Sequence, residues 1–371
     1  MRVPLLDLTA QYQSTKDAVL PALMSVIERQ QFIMGPEVPA LEADIARLCH
    51  TKHAIGCASG TDALLLPLMA LDLKPGDEVI CPAFTFFATA GTVHNTGGTP
   101  VFVDIDSATF NVTAATIEPA ITKRTRAIIV VHLFGQMVEM ERILALAAKH
   151  NIPVIEDAAQ AIGARRSMDG EWRMAGETGW MGSFSFFPSK NLGAYGDAGM
   201  MVCQGDALAE RLARLRLHGG ARQYHHDEVG TNSRLDTLQA AALHAKLPFL
   251  AEWSEARRQN AARYAEGLAG LAPVRTPATD TANEHIFHQY TLRVERRDAL
   301  QSFLKGRDIG SAVYYPLPLH LQPCFAYLGY KPGRLPVTEE AASQVLSLPI
   351  YPELSRAQLD WVVESIRAFY A

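Results

Sequence analysis

Residues 127–160, AIIVVHLFGQMVEMERILALAAKHNIPVIEDAAQ, place a strand, a helix and a second strand in succession. Residues 127–132 form an apolar, β-branched run of strand length. Residues 139–150 then set Ile143, Leu144, Leu146 and Ala147 on one side at helical spacing. The chain returns as Ile152-Pro153-Val154-Ile155 and ends in two acids, Glu156-Asp157. A strand–helix–strand unit of this kind closes into a parallel pair, and parallel sheets are covered by helices on both faces.

The alternation extends in both directions. Strand-like runs fall at 54–58, 78–81, 100–104, 127–132, 154–156, 182–187 and 200–203, with amphipathic segments between several of them. The predicted fold class is therefore α/β with a mainly parallel sheet, in which ligands bind beyond the carboxyl ends of the strands. Residues 211–217 and 235–271 carry Ala/Leu-rich helical patterns, the latter interrupted at Pro248. After Pro273 the texture changes. A strand-like stretch at 286–294 precedes a helix at 297–305, a proline-studded loop at 314–323 and helices at 338–346 and 356–369. Two domains are expected: residues 1–250 as the large one, including the N-terminal segment, and 251–371 as a smaller α+β domain.

Composition narrows the classes. The chain has 371 residues, 48% apolar and 20% charged, with a net charge of −5, so it has no general attraction to nucleic acid or anionic membrane. Its five cysteines are scattered without Cys-x-x-Cys spacing, which favours reduced thiols over a disulfide frame or zinc site. An acid, Asp7, precedes any apolar stretch long enough for a signal peptide, and no run approaches a membrane span. A cytoplasmic protein is expected.

Lys190 lies in SFSFFPSKNLG, residues 183–193, after an alternating apolar run and before a glycine-rich stretch. A lone lysine there is ordinarily a solvated surface residue. Its company changes the reading. An amine and a carboxylate, Asp157, at two neighbouring strand ends suit pyridoxal 5'-phosphate. The amine forms a Schiff base with the aldehyde and the carboxylate keeps the pyridine nitrogen protonated. Ala58-Ser59-Gly60-Thr61-Asp62-Ala63-Leu64 follows a strand and opens a helix, so its free N–H groups offer a phosphate-sized anion site. An aromatic from residues 84–89, FTFFAT, could stack on a flat ring. Gln160 could bond a ring hydroxyl, and Ser185 could donate to the same phosphate. Asn232-Ser233-Arg234 by itself reads as a turn and helix cap. No Gly-x-Ser-x-Gly elbow supports a serine hydrolase, and His225-His226 lacks partners at metal spacing.

Taken in order, these segments resemble the DegT/DnrJ/EryC1/StrS family of pyridoxal-phosphate-dependent sugar aminotransferases, of aspartate-aminotransferase fold (fold type I). The resemblance runs nearly end to end. It opens at Phe32-Ile33-Met34-Gly35-Pro36-Glu37-Val38 and continues through residues 59–64, 156–160 and 183–193. It closes with His218-Gly219, Asn232-x-Arg234 and Tyr315-Pro316-Leu317-Pro318-Leu319-His320-Leu321-Gln322-Pro323. It implies Lys190 as the Schiff-base lysine, Asp157 at the pyridine nitrogen, Phe86 on the ring and Gln160 beside the ring hydroxyl. Gly60, Thr61, Asp62 and Ser185 become phosphate ligands. Asn232 becomes one lent by a second subunit, which implies a homodimer with shared active sites. Arg234, Tyr314, Tyr315 and His320 fall where the family meets substrate. The chain departs from the family at Gly196-Asp197-Ala198-Gly199, where Gly-Glu-Gly-Gly is usual, and at Tyr314, where histidine is common.

The implied reaction moves an amino group from L-glutamate to a nucleotide-linked keto-sugar. The Pro316-Leu317-Pro318 loop resembles formers of 3-amino sugars, acting on a UDP-3-keto-GlcNAc-uronate or a dTDP-3-keto-deoxyhexose. A sugar dehydratase of the same family would carry histidine at position 190. Cyclitol aminotransferases and an aminobenzoate synthase are further alternatives. A silent regulator would have no chemical need for Lys190, Asp157 and the phosphate-binding residues together.

Overall fold

The structure, a computed structural model, describes every residue of the chain except Ala221 and Gln223. Strands β1 (His53–Cys57), β2 (Glu78–Pro82), β3 (Thr99–Val103), β4 (Thr125–Val131) and β5 (Val154–Asp157) come first. A separate hairpin, β6 (Arg165–Met168) and β7 (Glu171–Met174), precedes β8 (Met181–Ser185) and β9 (Gly199–Cys203). The central sheet has seven strands in the order β1-β9-β8-β5-β4-β2-β3. β3, β2, β4, β5 and β8 run parallel, while β9 is antiparallel to both β8 and β1. All seven strands expected from sequence occur, with bounds displaced by at most two residues.

Side chains alternate across this sheet with period two. Ile80, Ile128, Val130 and Val154 pack into one core, and Val79, Ala127, Ile129 and Ile155 into the other. Each fully buried aliphatic contributes about 1.5–3 kcal/mol. The covering helices are α1 (Leu8–Arg29), α2 (Glu37–Leu48), α3 (Gly60–Ala70), α4 (Ala88–Asn95), α5 (Ala114–Ile117), α6 (Met140–His150), α7 (Asp206–Leu215) and α8 (Thr237–Lys246). α6 shows why the crossover reads so plainly. Glu141 lies in its first turn, Lys149 and His150 in its last, and Asn151 closes it at φ 53°.

A third core surrounds a small antiparallel sheet, β10 (Val274–Arg275), β12 (Tyr290–Val294) and β13 (Val345–Leu348), in the order β10-β12-β13. β11 (Asn283–Glu284) instead joins the β6–β7 hairpin. Helices α10 (Arg297–Lys305) and α12 (Arg356–Tyr370) cover the small sheet with α9 (Leu250–Gly267). α9 is shared: Leu250 and Trp253 belong to the first core, Ala261 and Tyr264 to the third. Val3 also packs in the third core and donates its N–H to Asp308.

Several elements differ from expectation. The segment at 338–346 splits into α11 (Pro336–Gln344) and β13, because fully buried Val345 and Leu346 pair with β12. The strand expected at 286–294 begins only at Tyr290, after a turn with Phe287 at φ 46°. The β6–β7 hairpin turns on Asp169-Gly170, both at positive φ. No helix among the described residues is long and apolar enough to cross a membrane.

Candidate active site

The carboxyl ends of β5 and β8 meet the start of α3. β5 ends in Glu156-Asp157, and only Asp157 turns toward this edge. Glu156 is fully buried and acts as a structural hub. It accepts from His132 Nε2 at 2.7 Å, from the N–H groups of Gly176, Thr178 and Gly179, and from Thr178 Oγ1. His132 Nδ1 accepts from Val138 N–H, so its proton sits on Nε2 and points at the carboxylate. Burial pushes the Glu156 carboxyl up, yet His132 and the N–H donors outweigh it and hold it below the ordinary value. This cluster ties β5 to the turn before β8, and so fixes Asp157 relative to Lys190.

Asp157 accepts from Thr89 Oγ1 at 2.9 Å and from Ala159 N–H at 3.2 Å. Burial raises its pKa, and Thr89, Ala159 and the Lys190 charge offset only part of that rise. A cation placed against it would restore the ionised form. Lys190 follows β8. Burial pushes its amine down to about 8, opposed by the attraction of Asp157. At pH 7.5 about a quarter of such amines are neutral, against roughly 0.1% at the ordinary value. Beside them, Gln160 accepts from Phe134 N–H at 2.7 Å and donates to Tyr315 Oη at 3.0 Å. Phe86 is 57% exposed, 6.5 Å from the Tyr315 ring.

A second group converges at α3. Ser59 caps the helix by accepting from Asp62 N–H. The N–H groups of Gly60 and Thr61 have no intrahelical acceptor in this first turn. A Cβ at Gly60 would run into the Ser185 side chain, and one at Gly199 into the Ser59 carbonyl. Two glycines thus bring β8, β9 and the helix start into contact, so that the Ser185 hydroxyl lies beside the free N–H groups of the helix start and forms a cradle with them. These observations fit pyridoxal phosphate. There is a cradle for the phosphate, an exposed aromatic for the ring, a buried carboxylate for its nitrogen and an amine of lowered basicity for its aldehyde.

Two sequence expectations change. The Asp62 carboxylate does not face the cradle. It accepts from Ser233 Oγ at 2.7 Å, and Ser233 in turn accepts from Ala58 N–H. Its place in the first turn still favours the helix, but a second anion there would repel a phosphate. His320 does not line the site either. It is buried, bonded to Glu339 through Nε2 at 3.1 Å and set 5.9 Å from the Tyr330 ring. Its neighbours Pro318 and Leu319 turn inward and carry it with them.

Arg234 and Tyr314 are half-buried and Asn232 is exposed. Asn232 pairs with Leu217 through its backbone. Residue-type reasoning missed Thr89, the Glu156 hub, Ser233 and the buried His288, which meets Asn191 Oδ1 at 2.9 Å beside Lys190. Burial pushes His288 well down, helped by the nearby Lys190 and Arg257 charges. Thr89, Glu156 and Ser233 lie within quoted segments of the sequence, whereas no local pattern marks His288.

A lysine and a carboxylate at adjoining ends of a mainly parallel sheet, with an anion cradle at a helix start, define an enzyme of aspartate-aminotransferase architecture, fold type I. The chain belongs to the DegT/DnrJ/EryC1/StrS aminotransferase family, whose model matches residues 13–367. It is 51% identical to the pleiotropic regulatory protein of Geobacillus stearothermophilus, across 100% of this chain and 99% of that one. Identity is 47% to a UDP-N-acetyl-3-dehydro-alpha-D-glucosamine 3-aminotransferase of Acidithiobacillus ferrooxidans, across 98% and 97% of the two chains. The crystal structure of S. venezuelae DesV in complex with a ketimine intermediate matches with a TM-score of 0.96 at 42% identity, covering 100% of this chain and 98% of that one.

Proposed function

We propose that this chain is a pyridoxal-phosphate-dependent aminotransferase that moves an amino group from L-glutamate to C3 of a nucleotide-linked keto-sugar. The observation that carries the reading is the Lys190–Asp157 pair: an amine pushed down to about 8 by burial, opposite a buried carboxylate. Preference for C3 draws on the 3-aminotransferase of A. ferrooxidans at 47% identity. The regulatory name of the G. stearothermophilus relative is weighed against the intact cradle and lysine, which a regulator would not need.

Pyridoxal phosphate, when bound, supplies an aldehyde that carries the amino group and a ring that takes up the electron pair of the deprotonated carbon. Asp157 holds the proton on the ring nitrogen, with Thr89 and Ala159 orienting its two oxygens. Gly60 and Thr61 N–H groups and Ser185 take the phosphate. Phe86, 57% exposed, would stack on the ring, and Gln160 would meet its hydroxyl. Lys190 would hold the cofactor's aldehyde, and its free amine would carry a proton to and from the amino-bearing carbon. Its lowered basicity leaves enough neutral amine to do so near neutral pH. Arg234, Tyr314 and Tyr315 meet the sugar nucleotide.

A homodimer completes the site, with Asn232 lent by the second copy. The exposed apolar residues Leu20, Met24, Ile27, Ile33 and Met34 on and after α1 support such an interface. Residues 1–250 and 251–371 act as the cofactor and small domains, and the enzyme works in the cytoplasm. The test is a visible absorption band of the holoprotein that is absent in Lys190→Ala and changes on adding glutamate, followed by single-turnover assays of the aminated enzyme on nucleotide keto-sugars. No turnover on any 3-keto substrate would end the C3 assignment.

A further inference from the structure

Lys246 is a buried lysine that none of this chemistry uses. It sits in the last turn of α8 at 1% exposure. Burial pushes its amine down to about 8, and no acid side chain acts to restore it. An uncompensated buried ammonium is costly to keep. Its contacts lie on the loop that carries Lys190. Nζ donates to the Gly193 carbonyl at 2.8 Å and stands 4.0 Å above the Tyr195 ring.

That loop is short and closed on itself. Lys190 N–H donates to Phe187 O and Ala194 N–H to Phe186 O, and a Cβ at Gly193 would strike the Pro188 carbonyl. Tyr195 is held from the same helix, since its N–H donates to Gln239 Oε1 at 2.8 Å. Fixing Gly193 and Tyr195 therefore fixes the backbone from which Lys190 projects. α8 also follows directly on Asn232 and Arg234, so one helix carries the restraint on the lysine and the segment that meets substrate.

We propose that Lys246 is a positioning residue for Lys190, its ammonium pinning the Gly193–Tyr195 turn to α8 so that the amine is aimed at the cofactor. The proposal rests on the reading of Lys190 as the cofactor-bearing lysine. The test compares wild-type holoenzyme with Lys246→Met, which keeps the stem, and Lys246→Gln, which keeps a neutral donor. Visible circular dichroism of the bound cofactor reports the asymmetry of its setting, and the glutamate half-reaction reports the proton transfer. Lys246→Met is expected to lose much of the visible ellipticity per bound cofactor and to slow the half-reaction about tenfold or more. KM for the sugar nucleotide should stay within about twofold, and Lys246→Gln should recover most of both signals. Wild-type ellipticity and half-reaction rate in Lys246→Met, whatever its urea midpoint, would overturn the proposal. Should Lys246→Met not fold, Tyr195→Leu removes the ring beneath the ammonium. A smaller loss in the same direction is then expected, and unchanged signals overturn the idea. A visible band that survives Lys190→Ala overturns the underlying reading instead, and this inference with it.

Discussion

Glu156→Gln removes a charge while leaving shape almost unchanged, which isolates what the hub contributes. Glu156 Oε1 accepts from Thr178 N–H, Thr178 Oγ1 and Gly179 N–H, and Oε2 from His132 Nε2 and Gly176 N–H. Whichever oxygen becomes the amide nitrogen, at least two donors then face a donor. His132 cannot adapt by moving its proton, because Val138 N–H already occupies Nδ1. Two orphaned buried donors cost about 1–3 kcal/mol each, so the expected loss is about 4 kcal/mol. In urea with an m-value of about 3 kcal/mol/M this lowers the midpoint by roughly 1.3 M. The measurement is urea unfolding of the apoprotein at pH 7.5, followed by fluorescence. The folded carboxyl titrates below its ordinary value of 4.5, so its contribution is complete above that pH and is lost as pH falls below it. The gap between wild type and variant should therefore close in acid. A midpoint shift under about 0.3 M at pH 7.5 would refute the hub.

Three further outcomes follow from the site. In the apoprotein, Lys190 should react with an amine-selective acylating reagent at a rate rising with pH around 8, since its amine is charged below that value and neutral above it; a midpoint above 10 in peptide-resolved labelling would contradict the burial argument. Asp157→Asn should retain cofactor yet slow the glutamate half-reaction by roughly 100-fold or more, read by stopped-flow absorbance. His320→Gln should leave KM for the sugar nucleotide within about twofold while lowering thermal stability, because the ring is buried against Glu339 and Tyr330.

The sheet was legible because parallel strands buried on both faces leave continuous apolar runs, and because α6 carries charges suited to each of its ends. At the β6–β7 hairpin only the turn is marked in the sequence, by Asp169-Gly170, the strongest kind of short hairpin signal. Its strands are not marked, because the flanking Arg165, Arg166, Glu171 and Arg173 hide the alternation. α11 and β13 read as one element because no turn residue separates Gln344, the end of the helix, from the buried Val345 and Leu346 that open the strand. At the site, Lys190, Asp157 and Gly60 sit at strand and helix ends and were readable from position. Ser233, Thr89 and Lys246 act through contacts between segments far apart in sequence, which no local pattern encodes. His320 misled for the converse reason: its sequence neighbourhood is the site's, but its side chain points the other way.

The pairing of Val3 with Asp308 and Ile309 has a consequence for synthesis. Val3 must wait for partners made some 300 positions later. At about 5–20 residues per second that delay is roughly 15–60 s. Meanwhile strands β1 to β9 and the cofactor cradle have already emerged, and α1 can pack on α8. The first few residues therefore act as a late clasp. They join the small core only after the catalytic half has emerged, and a ribosome stalled before residue 309 would display that half with its leading segment still unattached.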